Sequence, residues 1–250
     1  LMKWFTVNKL SLNLKKTNYM LFTTNSSIRQ SSLQFRINDT LIDRVQSCKF
    51  LGVHIDEKLS WSDHVDHVCH KLRKSIGVLR KVSSVLDQST LRTLYFTMMY
   101  PYLTYCHLLW GCTSVTNLTR IHRLQKKAVR IICKQPRLAH TLPLFSETKI
   151  IDVNNLYKYL LALFTFKLSH HLLPHSFHSQ ISIDIFGFNQ NQPTRNLNCR
   201  LPLCRTTIRQ YTIFYQVPKL CNDLLFRLGL PLPENIPFLT FKKLMKNLFT

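Results

Sequence analysis

The sequence predicts an α+β fold, with a short sheet first, then a mostly helical region, then a mixed C-terminal region. Three observations predict it. Alternating apolar residues and turn formers mark the first 58 residues, apolar residues recur at helical spacing over 59–172, and prolines and asparagines break the pattern over 173–250. We therefore expect three domains with these bounds.

The first domain predicts short strands joined by turns. Residues 1–12 indicate the end of a helix followed by a turn at Asn8, and residues 19–22 indicate a short strand. Alternating apolar residues at 33–37 and 41–45 flank Asn38-Asp39-Thr40, a pattern typical of a β-hairpin. Residues 50–56 predict another strand.

The middle domain opens with an amphipathic helix. Apolar residues recur three or four positions apart from Trp61 to Leu79, which places them on one helical face. Ser60 is predicted as its N-cap, with Asp63 at the third helical position, an arrangement that satisfies free N–H groups at a helix start.

A second, more buried helix is predicted over 89–110, with a break near Tyr100-Pro101 because proline interrupts helical hydrogen bonding. The remaining expectations are helices over 117–134 and 150–171, loops and short strands over 173–215, a short helix over 215–225, a linker containing Pro231, Pro233 and Pro237, and a final helix over 238–249.

Charge is the strongest bulk property of the chain. Lys and Arg number 34 against 12 Asp and Glu, a net charge of +22. Such an excess calls for an anionic partner, and nucleic acid is the usual one, with binding that weakens steeply as salt rises. The simpler alternatives are a basic linker face and a ribosomal-type binder. No membrane partner is expected, because the uncharged stretch 94–119 lacks the ~20 predominantly apolar residues of a membrane span.

Two predicted helices carry the candidate nucleic-acid-binding residues on the face opposite their apolar stripe. Basic helix faces of this kind suit a duplex gripped by its backbone, and the alternative is an ordinary solvated helix face. The candidates are Lys71, Arg73, Lys74, Arg80 and Lys81 on the first helix, and Arg120, Arg123, Lys126, Lys127 and Arg130 on the other.

No metal site or cofactor is assigned. Eight cysteines form no CxxC pair, so reduced and mostly buried thiols of an intracellular protein are expected. His64, His67 and His70 share one helix, where a solvated face is favoured over metal binding. Cys199 and Cys204 are followed by no histidine, which excludes a zinc knuckle.

Several stretches resemble the non-LTR (LINE-type) retrotransposon reverse transcriptases, the jockey-like branch especially. The first consists of Trp4-Phe5, residues 8–13 and Lys16-Thr17-x-x-Met20. In that family this stretch follows the catalytic strand and closes the palm. The resemblance implies that Lys16 lies near the incoming nucleotide, where a lysine can act as a compact donor to a triphosphate; the alternative is a surface lysine.

The second stretch is Phe50-Leu51-Gly52-Val53-x-Ile55-Asp56-x-x-Leu59-x-Trp61, which is similar to the primer grip that leads into the thumb. The resemblance assigns the primer grip to Phe50, Leu51, Gly52 and Val53. Gly52 is consistent with close approach of a nucleic-acid backbone, or with a bulge packed against a neighbouring strand.

Further matches follow in the family's order over nearly the whole chain, at 64–69, 72, 74–77, 100–106, 110–111, 124–132, 140–145, 174–177, 195, 202, 205–206 and 241–243. They imply a palm end with primer grip over 1–58, a helical thumb over 59–172 and a basic C-terminal region over 173–250. The last segment departs from the family, because Cys221-Asn222 replaces an aromatic-Asn pair and the following proline is missing.

The implied function is template-primer binding within an RNA-directed DNA polymerase. The implied partners are RNA, an RNA–DNA hybrid, and the upstream palm and fingers of the same polyprotein. The family enzyme uses Mg²⁺ held by an Asp-Asp turn, and no Asp-Asp pair occurs here, so we expect no nucleotide transfer by this chain alone. Such elements act in the cytoplasm and the nucleus.

Two alternatives stay open. The first is a stand-alone basic RNA-binding module without catalytic activity, and an Asp-Asp turn upstream of Leu1 in the reading frame would argue against it. The second is a degenerate copy of the element that does not fold stably.

Overall fold

The computed structural model describes residues 2–30, 33–37, 40–175, 177, 201–228 and 236–250. Contacts divide the chain into two compact units, residues 1–66 and 67–250. The predicted α+β class is confirmed, with a three-stranded and a two-stranded sheet followed by helices. The turn residues Asn38 and Asp39, the matching residue Arg195, Cys199 and the linker prolines Pro231 and Pro233 lie outside the described residues.

A three-stranded sheet occupies the middle of the first unit. Helix α1 (Met2–Val7), a 3₁₀ helix (Leu14–Lys16) and helix α2 (Ser26–Gln30) accompany strands β1 (Asn18–Tyr19), β2 (Phe35–Ile37) and β3 (Thr40–Arg44). Strand β3 lies between antiparallel β2 and parallel β1, which confirms the predicted hairpin. The strand predicted over 19–22 is shorter than expected, because β3 ends at Arg44 and offers β1 no further partner.

The single strand predicted over 50–56 is wrong. The chain forms a second hairpin there, in which β4 (Ser47–Phe50) pairs antiparallel with β5 (Val53–Asp56). Leu51 and Gly52 make the two-residue turn with φ values of 46° and 85°. Left-handed conformation at both positions matches the strand twist and favours glycine. Gly52 is therefore required by its own backbone conformation.

Asp56 organises the connection from β5 to the next helix. Its Oδ1 accepts hydrogen bonds from the N–H groups of Lys58 (3.0 Å) and Ser60 (3.1 Å), and its Oδ2 accepts one from Trp61 N–H (2.9 Å). The helix then begins at Ser62, so the prediction of Ser60 as N-cap is wrong. A carboxylate that accepts three backbone N–H groups fixes this turn.

The helices follow in a chain of short connections. Their bounds are α3 (Ser62–Val82), α4 (Gln88–Met98), α5 (Tyr100–Thr104), α6 (His107–Trp110), α7 (Val115–Ile132), α8 (Leu142–Thr148), α9 (Val153–Ser169), α10 (Thr207–Gln210), α11 (Ile213–Leu228) and α12 (Phe238–Phe249). Among the described residues, no helix combines the length and the apolar character needed to cross a bilayer.

Most predicted helices are confirmed. The helix predicted over 89–110 divides into α4, α5 and α6, with the break at Tyr100-Pro101 as expected. Two helices differ from the prediction: α8 was not predicted, and α10 occupies part of the segment expected to hold loops and short strands. Helix α11 is longer than the predicted 215–225 and contains Pro218.

Helix α9 lies at the centre of the second unit, where it packs against α6, α7, α11 and α12. Gly111, directly after α6, allows one of these contacts. A Cβ atom there would lie 2.6 Å from both the His107 carbonyl oxygen and Tyr157 Cδ2 of α9. Glycine is needed because the two elements approach too closely for any side chain.

One buried side chain joins three elements of this core. Gln125 of α7 is fully buried. Its Nε2 donates to the hydroxyl of Tyr95 on α4 (2.9 Å) and to the Ile151 carbonyl (2.8 Å). Its Oε1 accepts from the N–H of Val153 at the start of α9 (2.8 Å). Every polar atom in this network therefore has a partner away from water.

Replacing Gln125 with leucine should destabilise the chain. Gln125→Leu keeps a similar volume but leaves the Tyr95 hydroxyl, the Ile151 carbonyl and the Val153 N–H without this partner. We expect a loss of about 3 kcal/mol in the free energy of unfolding, measured by urea denaturation. Gln135→Leu makes the same change at an exposed position and is the control. Equal stability of the two variants would contradict the network's importance.

Removing the Asp56 carboxylate should loosen the turn before α3. We expect Asp56→Ala to speed hydrogen exchange at the Ser60 and Trp61 amides and to cost about 1–2 kcal/mol of stability. Asp63→Ala makes the same charge change on the exposed first turn of α3 and should leave those amides unaffected. Unchanged exchange in Asp56→Ala would show that the turn is held by other contacts.

Candidate nucleic-acid interface

Helix α3 separates an apolar face from a basic one. Val65, Val68, Leu72, Ile76 and Leu79 are buried. Four of the five candidates on this helix are exposed and Lys71 is half-buried; the exposed residues are Arg73, Lys74, Arg80 and Lys81. The helix therefore presents a row of cations while its other face is held in the core.

Lys71 has a second environment besides solvent. Its Nζ lies 5.9 Å from the ring centroid of Tyr102 on α5, within range of a cation–π interaction. The backbone near it is also tied down, because Ser75 Oγ donates to the carbonyls of Lys71 (3.2 Å) and Met98 (3.1 Å). The contact with Tyr102 therefore limits the freedom of the Lys71 side chain.

Helix α7 shows the same separation. Ile121, Leu124, Ala128 and Ile132 are buried with Gln125. On the basic side Arg123 and Lys127 are exposed, whereas Arg120, Lys126 and Arg130 are half-buried. The two exposed cations are the ones best placed to meet a ligand from solvent.

Arg130 has a structural role that the sequence did not indicate. Its Nε donates to the carbonyl of Ala139 at 2.9 Å, which holds the loop that follows α7. Removing this side chain would disturb that loop as well as the charge. It is therefore a poor position for a binding test, and Arg123 and Lys127 are better ones.

The two cationic groups lie on separate helices that share α4 as a neighbour. Helix α3 is bonded to α4 through Ser75 and Met98, and α7 is bonded to it through Gln125 and Tyr95. Both groups therefore belong to the second unit and are positioned by the same packed helix.

Lys126 influences a neighbouring histidine. Partial burial of His122 lowers its pKa, the charge of Lys126 lowers it further, and Asp152 opposes the shift. His122 Nδ1 also lies 3.3 Å from Asn154 Nδ2 at the start of α9. The neutral imidazole is favoured here, because burial disfavours the charged ring and a further positive charge would stand next to Lys126.

The candidates of the first unit differ from one another in exposure. Lys16 is exposed at the end of the 3₁₀ helix. At the predicted primer grip, Phe50 and Leu51 are 60% and 76% exposed, whereas Val53 is buried. The hairpin turn therefore presents Phe50 and Leu51 to solvent and points Val53 into the core.

The histidines and cysteines do not gather into a metal site within the described part of the chain, where no group of three or more His, Cys, Asp or Glu could hold an ion. The solvated face predicted for His64, His67 and His70 is wrong for His64, which is buried and accepts from the His54 N–H at 3.4 Å. Cys69, Cys133 and Cys221 are buried, reduced thiols, and Cys48, Cys106, Cys112 and Cys204 are half-buried ones.

The lowered pKa of His122 predicts a pH dependence. His122 takes up a proton more readily in the unfolded chain than in the folded chain. The free energy of unfolding should therefore decrease as pH falls through and below about 6.5. His122→Gln should remove this contribution, and the native chain should lose more stability than the variant between pH 7.5 and pH 5. His70→Gln, on the exposed side of α3, is the control. The same change in the free energy of unfolding with pH for the native chain and His122→Gln would refute the lowered pKa of His122.

Comparison with known proteins gives partial matches of one kind. The chain is 26% identical over 133 residues to a protein described as "Probable RNA-directed DNA polymerase from transposon X-element" of Drosophila melanogaster. The aligned segment covers 52% of this chain and 14% of that protein. It is 24% identical over 156 residues to "RNA-directed DNA polymerase from mobile element jockey" of Drosophila funebris. That aligned segment covers 61% of this chain and 17% of that protein.

A third relative, "Probable RNA-directed DNA polymerase from transposon BS" of Drosophila melanogaster, is 24% identical over 130 residues. The chain spans less than a fifth of the length of these relatives. No family model and no solved structure matches it. The resemblance seen in the sequence is confirmed: over about half its length, the chain is similar to the RNA-directed DNA polymerases of jockey-like, non-LTR retrotransposons.

Proposed function

We propose that this chain is the template-primer-binding part of a reverse transcriptase from a non-LTR retrotransposon. The observation that carries the proposal is the exposed row of cations on α3 and α7, each opposite a buried apolar face. The similarity to RNA-directed DNA polymerases gives the kind of nucleic acid, an RNA template paired with a DNA primer.

The cations act on phosphates and not on bases. Lysine and arginine side chains on a helix surface reach the backbone of a duplex and fix its position without reading its sequence. Such contacts suit a polymerase, which must hold every sequence that it copies. Binding of this kind releases counterions, so its strength depends steeply on salt.

The first unit supplies two further contacts in this proposal. Lys16 interacts with the triphosphate of the incoming nucleotide, for which an exposed ammonium group is suited. The β4–β5 turn, with Phe50, Leu51 and Gly52 followed by Val53, contacts the primer strand. Both assignments rest on the resemblance of these stretches to the family.

Catalysis requires residues beyond those described. The family enzyme uses Mg²⁺ to activate the attacking oxygen and to stabilise the leaving oxygen. We infer no catalytic step for the carboxylates of this chain, because the sequence contains no Asp-Asp pair. The upstream palm and fingers of the same polyprotein supply the aspartates, in a complex that acts in the cytoplasm and the nucleus.

The alternative function is a basic RNA-binding module without a polymerase partner, and the net charge of +22 supports it equally. The two functions differ in the ligand preferred. Template-primer binding favours an RNA–DNA hybrid with a recessed primer end, whereas the module binds single-stranded RNA at least as well.

Neutralising the exposed cations of α3 and α7 should weaken hybrid binding. The variant combines Arg73→Gln, Lys74→Gln, Arg123→Gln and Lys127→Gln. We expect weaker binding and a shallower plot of log affinity against log salt concentration. The magnitude of its slope should decrease by about 0.7–0.9 for each phosphate that the variant no longer neutralises. Fluorescence anisotropy with a labelled RNA–DNA primer-template across a salt series measures both the affinity and the slope.

A matched control removes the same charge elsewhere on the second unit. It combines Arg137→Gln, Lys158→Gln, Arg209→Gln and Lys219→Gln, all at exposed positions. Equal weakening in the two variants would mean that only net charge matters, and the proposed interface would be wrong. Stronger binding of the native chain to single-stranded RNA than to the hybrid would favour the module.

A further inference from the structure

Three cations of the second unit interact electrostatically with Lys246, and none of the four belongs to the proposed α3 and α7 interface. The four are Arg92 of α4, Lys149 directly after α8, and Lys242 and Lys246 of α12, and we refer to them as the C-terminal cation cluster. Lys149 and Lys242 are exposed, and Arg92 and Lys246 are half-buried.

Arg92 is held rigidly in this cluster. Its Nε donates to the carbonyl of Thr148, the last residue of α8, at 2.6 Å. Its guanidinium carbon lies 4.8 Å from the ring centroid of Phe96. The hydrogen bond holds one edge of the guanidinium and the Phe96 ring covers one of its faces. The positive charge of Arg92 is therefore kept near Lys149, the residue after Thr148.

The packing of α12 brings the two lysines to the same place. Helix α12 runs antiparallel to α9, as two contacts show. The Phe241 ring stacks on Phe166 near the end of α9, with 4.5 Å between the ring centroids. The Phe249 carbonyl accepts a hydrogen bond from Asn155 Nδ2 near the start of α9, at 3.3 Å. The start of α9 follows Lys149 by four residues. Lys242 and Lys246, four residues apart, share one face of α12.

Every charged group that shifts the pKa of Lys246 is positive. Partial burial lowers its pKa first, and the positive charges of Arg92, Lys149 and Lys242 lower it further. The nearest acidic residue in sequence to Lys149, Glu147, accepts a hydrogen bond from Gln88 Nε2 at 2.7 Å. Like charges held together favour an anion between them.

Part of the cluster has a simpler explanation. Cations near the C-terminus of a helix are stabilised by its carbonyl groups, and this applies to Arg92 and Lys149 beside α8. It does not explain Lys242 and Lys246, which come from a different helix that is fixed in place by aromatic stacking.

We propose that the C-terminal cation cluster is a second phosphate-binding site, which binds the backbone of the nucleic acid independently of α3 and α7. Nucleic acid is favoured as the source of the phosphate because the chain carries a net charge of +22. The site extends the bound length of nucleic acid to the C-terminal helix. It uses none of the residues assigned under the proposed function.

The test uses the double variant Lys149→Gln and Lys242→Gln in the full chain, which leaves the structural contacts of Arg92 unchanged. We expect about tenfold weaker binding to the RNA–DNA hybrid at low salt and a salt slope smaller by about 1 to 2. The control is Lys158→Gln with Lys243→Gln, both exposed. The same weakening should appear when the double variant is combined with the α3 and α7 variant.

Acylation of lysines by an amine-reactive ester, read by mass spectrometry, gives a second measurement. Bound hybrid should slow the modification of Lys246 several-fold and leave Lys158 unaffected. Native affinity in the double variant, or unprotected Lys246, would overturn the proposal. Protection by inorganic pyrophosphate but not by the hybrid would also overturn it, because the site would then take free phosphate.

The two proposals fail in different ways. If the α3 and α7 variant binds weakly while the double variant binds normally, the second site is wrong and the proposed interface stands. If only the double variant binds weakly, the cluster is the phosphate site and the α3 and α7 interface is wrong.

Discussion

The hydrogen bonds of Gln125 are the constraint on which the helical unit depends. A buried amide is tolerated only when its donor and acceptor groups are bonded, and here they join α7 to α4, to Ile151 and to the start of α9. Burial raises the pKa of Tyr95, so its hydroxyl stays neutral beside the amide. Because α4 is also bonded to α3 through Ser75, the directions of both basic helix faces follow from this network.

Several of the described carboxylates are engaged by the chain's own backbone and polar groups. Asp87 caps α4, and hydrogen bonds from the Ser89 and Thr90 side chains lower its pKa to about 2. Asp152 accepts from two N–H groups at the start of α9, and Asp56 holds the turn before α3. Carboxylates used at helix starts do little to neutralise distant lysines and arginines. The surplus of positive charge is thus left on the outer helix faces, where a polyanion can reach it.

The two proposed phosphate sites are built on different principles. The α3 and α7 groups are rows of cations along helices whose register is set by their apolar faces. The C-terminal cation cluster depends on tertiary packing, because the stacking of Phe241 on Phe166 holds α12 where Lys246 interacts electrostatically with Arg92. The first kind of site is a consequence of helical periodicity alone, and the second exists only in the folded unit.

The sequence by itself determined the fold class, the main helices, the β2–β3 hairpin and the basic faces of α3 and α7, because these follow from local periodicity. It also carried the resemblance to jockey-like polymerases. Only the tertiary structure decided that Phe50–Val53 forms a turn, that His64 is buried, that Arg130 holds a loop and that Arg92 interacts electrostatically with Lys246 of α12. Each of these depends on contacts between residues distant in sequence or on backbone φ angles, which periodicity does not encode.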